Sequence, residues 1–438
     1  MNNPKVAIYT LGCKVNQNES DTIISHFKKA GYQEVPFEDK ADVYLVNTCT
    51  VTHLADRKSR QMIRRAIKKN NDALIVVTGC YAQTAPEAVL NIPGVDLVIG
   101  TRDRFRLVEL VEEAKKSKKP VNAVKNIMEV KEFEEIPGEE ILPHRVRSYL
   151  KIQEGCNRFC SYCIIPFARG PVRSRPISQV LKKAKQLIDS GYQEIILTGI
   201  HTGAYGTEIP QGYDLTFLIE KLINIPGLKR LRVSSIEPNE VCERMIELMS
   251  VSPILCRHLH IPLQSGNDAV LQRMNRVYNV REYARLIKMI REKIPEIAIT
   301  TDVIVGFPGE TEEEFTHTYN FIEKMNFSRL HVFKYSPRKG TPAASFPNQV
   351  SSDIKEERSK KLISLGKRLS REYAEKNINK VLGVLAEQRV EISGREYWEG
   401  HTDNYLRVVF LSEHNLQGRL VQVHLDAYKN GFICGHLV

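Results

Sequence analysis

No uninterrupted apolar run in this 438-residue chain approaches the ~18 residues needed to cross a bilayer. The opening "MNNPKVAIYT" lacks the basic stretch and following apolar segment of a secretory signal, and low-complexity tracts are missing too. These absences argue against a membrane partner and make a cytoplasmic location the expectation. An even set of cysteines is lacking as well. The nine are Cys13, Cys49, Cys80, Cys156, Cys160, Cys163, Cys242, Cys256 and Cys434. In a reducing compartment an odd count argues against a disulfide framework and towards metal-binding or catalytic thiols.

Acid is in short supply relative to base: 63 Lys and Arg face 52 Asp and Glu, a net charge of +11. That balance favours polyanionic partners such as nucleic acid. The length implies several domains, because single cores stop growing well below this size.

The pattern along the chain divides it. Residues 1–120 alternate short β-rich runs, "KVAIYTLGC", "DVYLVNTC", "ALIVVTGC" and "VDLVIG", with helical stretches. This predicts a parallel sheet with crossover helices. Residues 121–142, Lys-rich and then acidic, read as an exposed linker. Over 143–372 the alternation resumes with six strand candidates: "YLKIQEG", "EIILTG", "RLRVSS", "HLHIPL", "ITTDVIVG" and "RLHVFKYS". Six βα units in succession predict a partial or complete (β/α) barrel with its site at the carboxyl ends of the strands. Residues 375–438 hold short strands with no helical period, which predicts a small antiparallel β-barrel of the kind used for RNA binding. Over 376–438 seven basic residues are matched by seven acidic ones, so net charge does not support that role.

The phrase "EGCNRFCSYC" places Cys156, Cys160 and Cys163 directly after the first strand of the barrel segment. Three thiolates within eight residues can surround one small centre. A closed zinc site needs four ligands, and no fourth cysteine or histidine lies close in sequence. An iron–sulfur cubane held by three thiolates keeps one iron open instead.

With its spacing, its place after a first strand and the six units that follow, this loop resembles that of the radical S-adenosylmethionine superfamily. The resemblance implies a 4Fe-4S cluster whose open iron is chelated by S-adenosylmethionine, and a 5′-deoxyadenosyl radical released when one electron splits the sulfonium. It implies cofactor contacts for Tyr162 beside the adenine, for Thr198 and Gly199 at the methionine amino group, and for Ser234 and Glu237. Gln264, Ser265 and Gly306 end the fourth and fifth strands in the same way. Glu310 lies one residue from the acidic position usual in that motif.

Cys13, Cys49 and Cys80 are separated by 36 and 31 residues, yet each closes a predicted strand in a matching phrase: "TLGC", "VNTC", "VTGC". Parallel strands would bring all three to one carboxyl edge, where open α/β sheets bind ligands. Packing alone is the alternative, since free cysteine is a common core residue. Cys242, Cys256 and Cys434 share no such pattern and read as packing thiols.

The order of a three-cysteine domain, a radical barrel and a small β module resembles the methylthiotransferases across the whole chain. In that family the first three cysteines hold an auxiliary 4Fe-4S cluster and the last module is an RNA-binding TRAM domain. The reaction converts C–H to C–SCH3, with one S-adenosylmethionine supplying the methyl group and a second the radical. The resemblance also implies an electron donor such as flavodoxin or ferredoxin, and a sulfur donor.

"GCKVNQNES" and "NTCTVTHLADRKSRQMIRRA" look most like the branch acting on threonylcarbamoyladenosine in tRNA. The isopentenyladenosine branch usually carries Gln-Met after the first cysteine, and the branch acting on a ribosomal-protein aspartate Pro-Lys or similar. A non-catalytic iron–sulfur RNA-binding redox sensor is a further alternative.

From Arg57 to Lys69 there are seven basic residues and no acid. Arg57, Arg60, Arg64 and Lys68 recur at helical spacing, so one face could grip phosphates of the tRNA anticodon loop. Arg169, Arg173 and Arg175 in "ARGPVRSR" form a second candidate for phosphate or substrate carboxylate.

Overall fold

The computed structural model describes residues 3–117, 119–137, 146–210 and 212–438. The end of the expected linker and the start of the expected barrel segment, residues 138–145, lie outside the described residues.

The N-terminal sheet contains β1 (Lys5–Thr10), β2 (Gln33–Glu34), β3 (Val43–Thr48), β4 (Leu74–Gly79), β5 (Leu97–Val98) and β6 (Val121–Asn122). All are parallel, in the order β2-β1-β3-β4-β5-β6. A strand covered on both faces reads as a nearly continuous apolar run, and every residue of β3 is buried, with Asn47 and Thr48 at its carboxyl end hydrogen-bonded to the Asn16 and Thr78 carbonyls. Helix α1 (Lys14–Lys29) covers one face with Ile23, Ile24 and Phe27. Helix α2 (His53–Lys69) covers the other with Met62, Ile63 and Ala66. Thr52 caps α2 by accepting a hydrogen bond from the Ala55 N–H at 3.1 Å.

The expectation of an exposed linker from residue 121 is corrected for its described part. Val121–Asn122 is an edge strand, Ile127 and Val130 are buried, and Phe133 lies under the cations of Lys151 and Arg175. Apolar residues spaced among the lysines bind this segment down as a strap over the seam to the next domain.

The central domain contains β7 (Arg147–Lys151), β8 (Gln153–Glu154), β9 (Arg173–Ser174), β10 (Glu194–Thr198), β11 (Arg230–Val233), β12 (His258–His260), β13 (Ala298–Val305) and β14 (Arg329–Lys334). The sheets β7-β10-β11 and β12-β13-β14 are parallel, and the bridges Leu231–Leu255 and Ser235–His260 join them into one six-stranded wall. No pairing between β7 and β14 occurs among the described residues, so the barrel is partial. Leu150, Ile195, Leu197, Leu231 and Ile299 pack outwards onto helices such as Ile177–Asp189 and Val280–Lys293. Period-two alternation turns the intervening residues inwards. The pair β8–β9 is an antiparallel stem that holds the three-cysteine loop between its arms.

The C-terminal barrel is closed in the order β15-β16-β17-β19-β18, with β15 (Val381–Ile392), β16 (Arg395–Thr402), β17 (Arg407–Phe410), β18 (Leu420–Lys429) and β19 (Phe432–Leu437). Two details differ from expectation. Sequence reading misses β16, whose "REYWEGHT" hides its buried Trp398 and Thr402 among charges and a glycine. The pair β17–β19 is parallel within the otherwise antiparallel wall.

This small barrel sits under the amino ends of the central strands. Arg232 donates to the Asp403 and Thr402 carbonyls at 2.8 and 3.2 Å, and Arg230 to those of His401 and Gly383 at 2.9 and 2.6 Å. The Tyr405 ring stacks 4.7 Å from His258 and closes the barrel floor. Among the described residues no helix is long and apolar enough to cross a membrane.

Candidate functional site

β1, β3 and β4 are consecutive neighbours, so the three matched cysteines do leave one carboxyl edge. Cys13 caps α1, Cys49 follows β3 directly, and Cys80 opens the short helix Cys80–Thr84. The glycine in "TLGC" is required twice over. Gly12 has φ +107°, and a Cβ there would lie 3.1 Å from Cys49 Cβ and 3.3 Å from its Sγ. Asn16 is 1% exposed and ties the Cys13 loop to its neighbours by donating to the Leu11 and Thr48 carbonyls at 2.7 and 3.1 Å. Burial pushes the Cys80 thiol up to about 12, while Arg169 beside it pulls the other way.

That arginine comes from the second domain. It ends the helix Ile165–Arg169, immediately beyond the CxxxCxxC loop, and is fully buried. Its Nε donates to Cys80 Sγ at 3.1 Å, and Nη1 donates to Glu19 at 2.7 Å and Glu154 at 3.2 Å. Nη2 donates to Asn16 Oδ1. Arg104 and Lys151 complete the group, each 2.7 Å from Glu19 Oε1. Three cations surround two carboxylates, leaving a positive excess against the Cys80 sulfur. A second arginine, Arg338 beyond β14, donates to Asp56 at 2.7 Å and Thr50 at 2.6 Å, next to Cys49. The two arginines dock the N-terminal edge over the mouth of the central barrel.

The other triad repeats the arrangement. Arg276 Nη1 donates to Cys160 Sγ at 3.1 Å while Nη2 pairs with Glu237. Cys156 Sγ lies 3.6 Å from His201 Nδ1, and His201 Nε2 lies 2.6 Å from Glu240. Burial lowers the His201 pKa, but the bonds to Cys156 and Glu240 outweigh it and raise the group to about 9. Burial pushes Cys163 up to about 12.

The donor sets fit iron–sulfur clusters better than single ions. In neither triad do all three sulfurs lie within 4.8 Å of one another. One tetrahedral zinc with ~2.3 Å bonds would need thiolates roughly 3.8 Å apart. Three thiols per site, with one arginine donating to a sulfur in each, suit a wider cluster whose thiolate charge must be offset.

The expected cofactor residues divide. Tyr162 packs against the small apolar group of Val270, Met274 and Phe307, close to the loop that carries it. Glu237 reaches Cys160 through Arg276, and Ser234 Oγ lies 3.0 Å from Thr202 Oγ1. Thr198 ends β10, and a Cβ on Gly199 would lie 2.9 Å from Gln153 Oε1. Gln264 has φ +64° and bridges β12 to β13 through its backbone. Gly306 donates its N–H to Glu310 at 2.6 Å, and Glu310 also accepts from Arg358 at 2.7 Å. Glu310 therefore clamps that turn. Ser265 is corrected: its hydroxyl is fully buried, 3.1 Å from Thr318 Oγ1 on an outer helix, and faces away from the rim.

Arg169, Arg173 and Arg175 are corrected too. All three are buried, Arg175 on Glu135 at 2.5 and 2.6 Å and Arg173 on the Pro171 and Arg169 carbonyls, so none presents a guanidinium to phosphate. The α2 face keeps its expected exposure. Arg57, Arg64 and Lys68 are exposed and, among the described residues, form no ion pair, while Arg60 leans on Tyr81. Sequence reading missed Glu19, although it lies in the quoted "GCKVNQNES", and also Arg104, His201, Arg276 and Arg338, which belong to no cysteine phrase.

Residues 150–322 match the Radical SAM superfamily, and residues 5–100 match the Uncharacterized protein family UPF0004. The Threonylcarbamoyladenosine tRNA methylthiotransferase MtaB of Bacillus subtilis is 48% identical over 96% of this chain and 93% of that protein. The tRNA-2-methylthio-N(6)-dimethylallyladenosine synthase of Acetivibrio thermocellus is 34% identical over 98% of this chain and 90% of that protein. Among solved structures, the radical S-adenosylmethionine methyltransferase TsrM of Kitasatospora setae, with cobalamin and a 4Fe-4S cluster bound, superposes with a TM-score of 0.59 at 16% identity. It covers 78% of this chain and 77% of that one, a likeness of fold.

Proposed function

The chain belongs to the radical S-adenosylmethionine methylthiotransferases, and on that footing we propose that it installs a methylthio group on carbon 2 of N6-threonylcarbamoyladenosine beside the tRNA anticodon. The observation that carries this reading is the seam itself. Two cysteine triads from different domains meet there, and Arg169, from the helix beyond one triad, donates to a sulfur of the other. When bound, a cluster on Cys156, Cys160 and Cys163 supplies the electron that splits S-adenosylmethionine, and one on Cys13, Cys49 and Cys80 supplies the sulfur end of the transfer.

The protein's own residues orient and enclose. Arg169 and Arg338 fix the N-terminal edge over the barrel mouth, and Arg276 and Glu237 brace the rim beside Cys160. The docked domains and the Tyr405 floor keep bulk water from a reactive site. The exposed Arg57, Arg64 and Lys68 begin eight residues beyond Cys49 and suit anticodon-loop phosphates. The reading further calls for a low-potential electron donor and a sulfur donor.

The test is substrate competition. Anaerobically reconstituted enzyme receives anticodon stem-loops bearing threonylcarbamoyladenosine or isopentenyladenosine, and a ribosomal-protein substrate, with products resolved by mass spectrometry. A methylthio nucleoside is expected from the first alone. Product from either of the others, with none from the first, overturns the assignment.

A further inference from the structure

The lumen of the central barrel is polar almost throughout, and strand alternation is the reason. Leu259, Ile299, Val303 and Val305 pack outwards on the helices, so His260, Thr300 and Asp302 point inwards. Leu330 and Val332 pack outwards in the same way and turn His331 inwards. The lower layer of the lumen is spent: Arg232 pairs with Glu194 at 2.8 Å, Arg147 with Glu387 at 2.8 Å, and Arg230 holds backbone carbonyls of the small barrel. Above it, three adjacent strands set two imidazoles around one carboxylate. Asp302 and His331 are register partners on β13 and β14, and His260 on β12 is the partner of Thr300.

His260 Nε2 lies 3.2 Å from one Asp302 oxygen, and His331 Nδ1 lies 3.1 Å from the other. One ligand atom from each residue can be chosen so that all three lie within 4.8 Å of one another, a condition that neither cysteine triad meets. Nitrogen and oxygen ligands at ~2.05 Å from a tetrahedral cation stand ~3.3 Å apart, so these spacings match the edges of such a site. Thr300 Oγ1, 2.9 Å from His260 Nδ1, can accept the ring proton there and leave the Nε2 lone pair facing Asp302. A fixed acceptor on the far nitrogen is how ligating histidines are held in tautomer and direction. Side-chain exposure rises from 14% at His260 to 43% at His331, so the group is anchored on one side and open to the lumen on the other. One other group of this composition occurs among the described residues: His424, Asp426 and His436, on the outside of the small barrel. Asp426 and His436 are exposed, and among the described residues no acceptor holds the far nitrogen of either histidine.

We infer that His260, Asp302 and His331 form a binding site for a divalent transition cation of the zinc class, separate from both cysteine triads. Two imidazoles and one carboxylate are a donor set for zinc or ferrous iron rather than for calcium or magnesium. Three protein ligands leave a fourth position open, and it faces the lumen, where water or an oxygen of a bound molecule completes the shell. The ligands stand on β12, β13 and β14, so the cation also ties together the free end of the wall, where β14 has no strand beyond it among the described residues. Binding there is independent of which RNA the enzyme modifies.

The test uses the anaerobically reconstituted holoenzyme, whose cluster thiols are occupied, cleared of excess iron with a chelator and dialysed against zinc alone. Wild type is expected to retain about one zinc per chain at this site. His331→Ala and Asp302→Asn should each weaken zinc binding by more than about a hundredfold, beyond the cost of losing an outer-shell contact. His436→Ala, which breaks the exposed group, should leave this zinc in place. Zinc-edge X-ray absorption of wild type should show nitrogen and oxygen at ~2.0–2.1 Å, with an imidazole pattern and no sulfur at ~2.3 Å. That spectrum needs no variant, so it decides even if His331→Ala fails to fold, and iron content is measured on every sample. Wild type that holds no zinc would show a plain hydrogen-bonded bridge of two histidines on Asp302 and overturn the inference. Sulfur in the first shell, or zinc that His436→Ala removes and His331→Ala keeps, would overturn it too.

Discussion

Cys49→Ala is expected to abolish methylthio product while S-adenosylmethionine is still cleaved to 5′-deoxyadenosine. The two outcomes separate because the triads belong to different domains. Cys49 stands on the N-terminal sheet edge, and its loop touches the barrel through Asp56, Thr50 and Arg338, not through the CxxxCxxC loop. Removing one of three thiols removes a ligand for which no other described side chain in that loop substitutes. The second triad keeps its own braces, with Arg276 on Cys160 and His201 beside Cys156. Cys160→Ala should give the opposite pattern, losing cleavage and product together. Product and 5′-deoxyadenosine are quantified in one reaction by mass spectrometry. Loss of cleavage in Cys49→Ala equal to that in Cys160→Ala would show that the triads do not act as separate sites.

Arg169→Ala should cost about 3–5 kcal/mol of stability, the range for breaking a buried ion pair by removing one partner. The side chain is wholly enclosed and bonds Glu19, Glu154, Asn16 and Cys80 at once, so its loss leaves two buried carboxylates with only Arg104 and Lys151 and takes the arginine donor from the Asn16 amide oxygen. Arg169→Lys should recover only part, because one ammonium cannot reproduce a fork that serves four partners. Burial works to raise the Glu19 pKa, but Arg104, Arg169 and Lys151 together hold it well below the ordinary carboxylate value. A depressed folded pKa gives stability that is complete above the unfolded pKa and lost only as pH falls through the folded one. The Arg169→Ala deficit should therefore be flat from about pH 6 to 8 and shrink under acid. Urea unfolding across that range measures it, and a deficit below about 1 kcal/mol would place the residue among ordinary surface pairs.

What the sequence makes legible follows from what local pattern can encode. The three strand-end phrases announce themselves because a parallel sheet turns equal positions in three strands into one edge. The six barrel strands are visible because their outer faces must be apolar. Arg169 is invisible in its true role, since a charge run beside a cluster loop looks the same whether it meets solvent or a buried Glu19 that lies 150 residues earlier. The lumen is hidden for a related reason. Polar residues alternating along β12, β13 and β14 read as a solvent face, and only closure of the wall turns them inwards. Strand β16 and the strap over 121–137 were lost because charged residues surround the few buried side chains that fix them.

The central claim is that two separate triads each hold a four-iron cluster at one seam. Mössbauer spectroscopy with elemental analysis of the anaerobically reconstituted protein tests it most directly. About eight irons per chain are expected in wild type, and about four in each of two variants in which one triad is replaced by alanine. About four irons in wild type, or loss of all iron on replacing either triad alone, would contradict it.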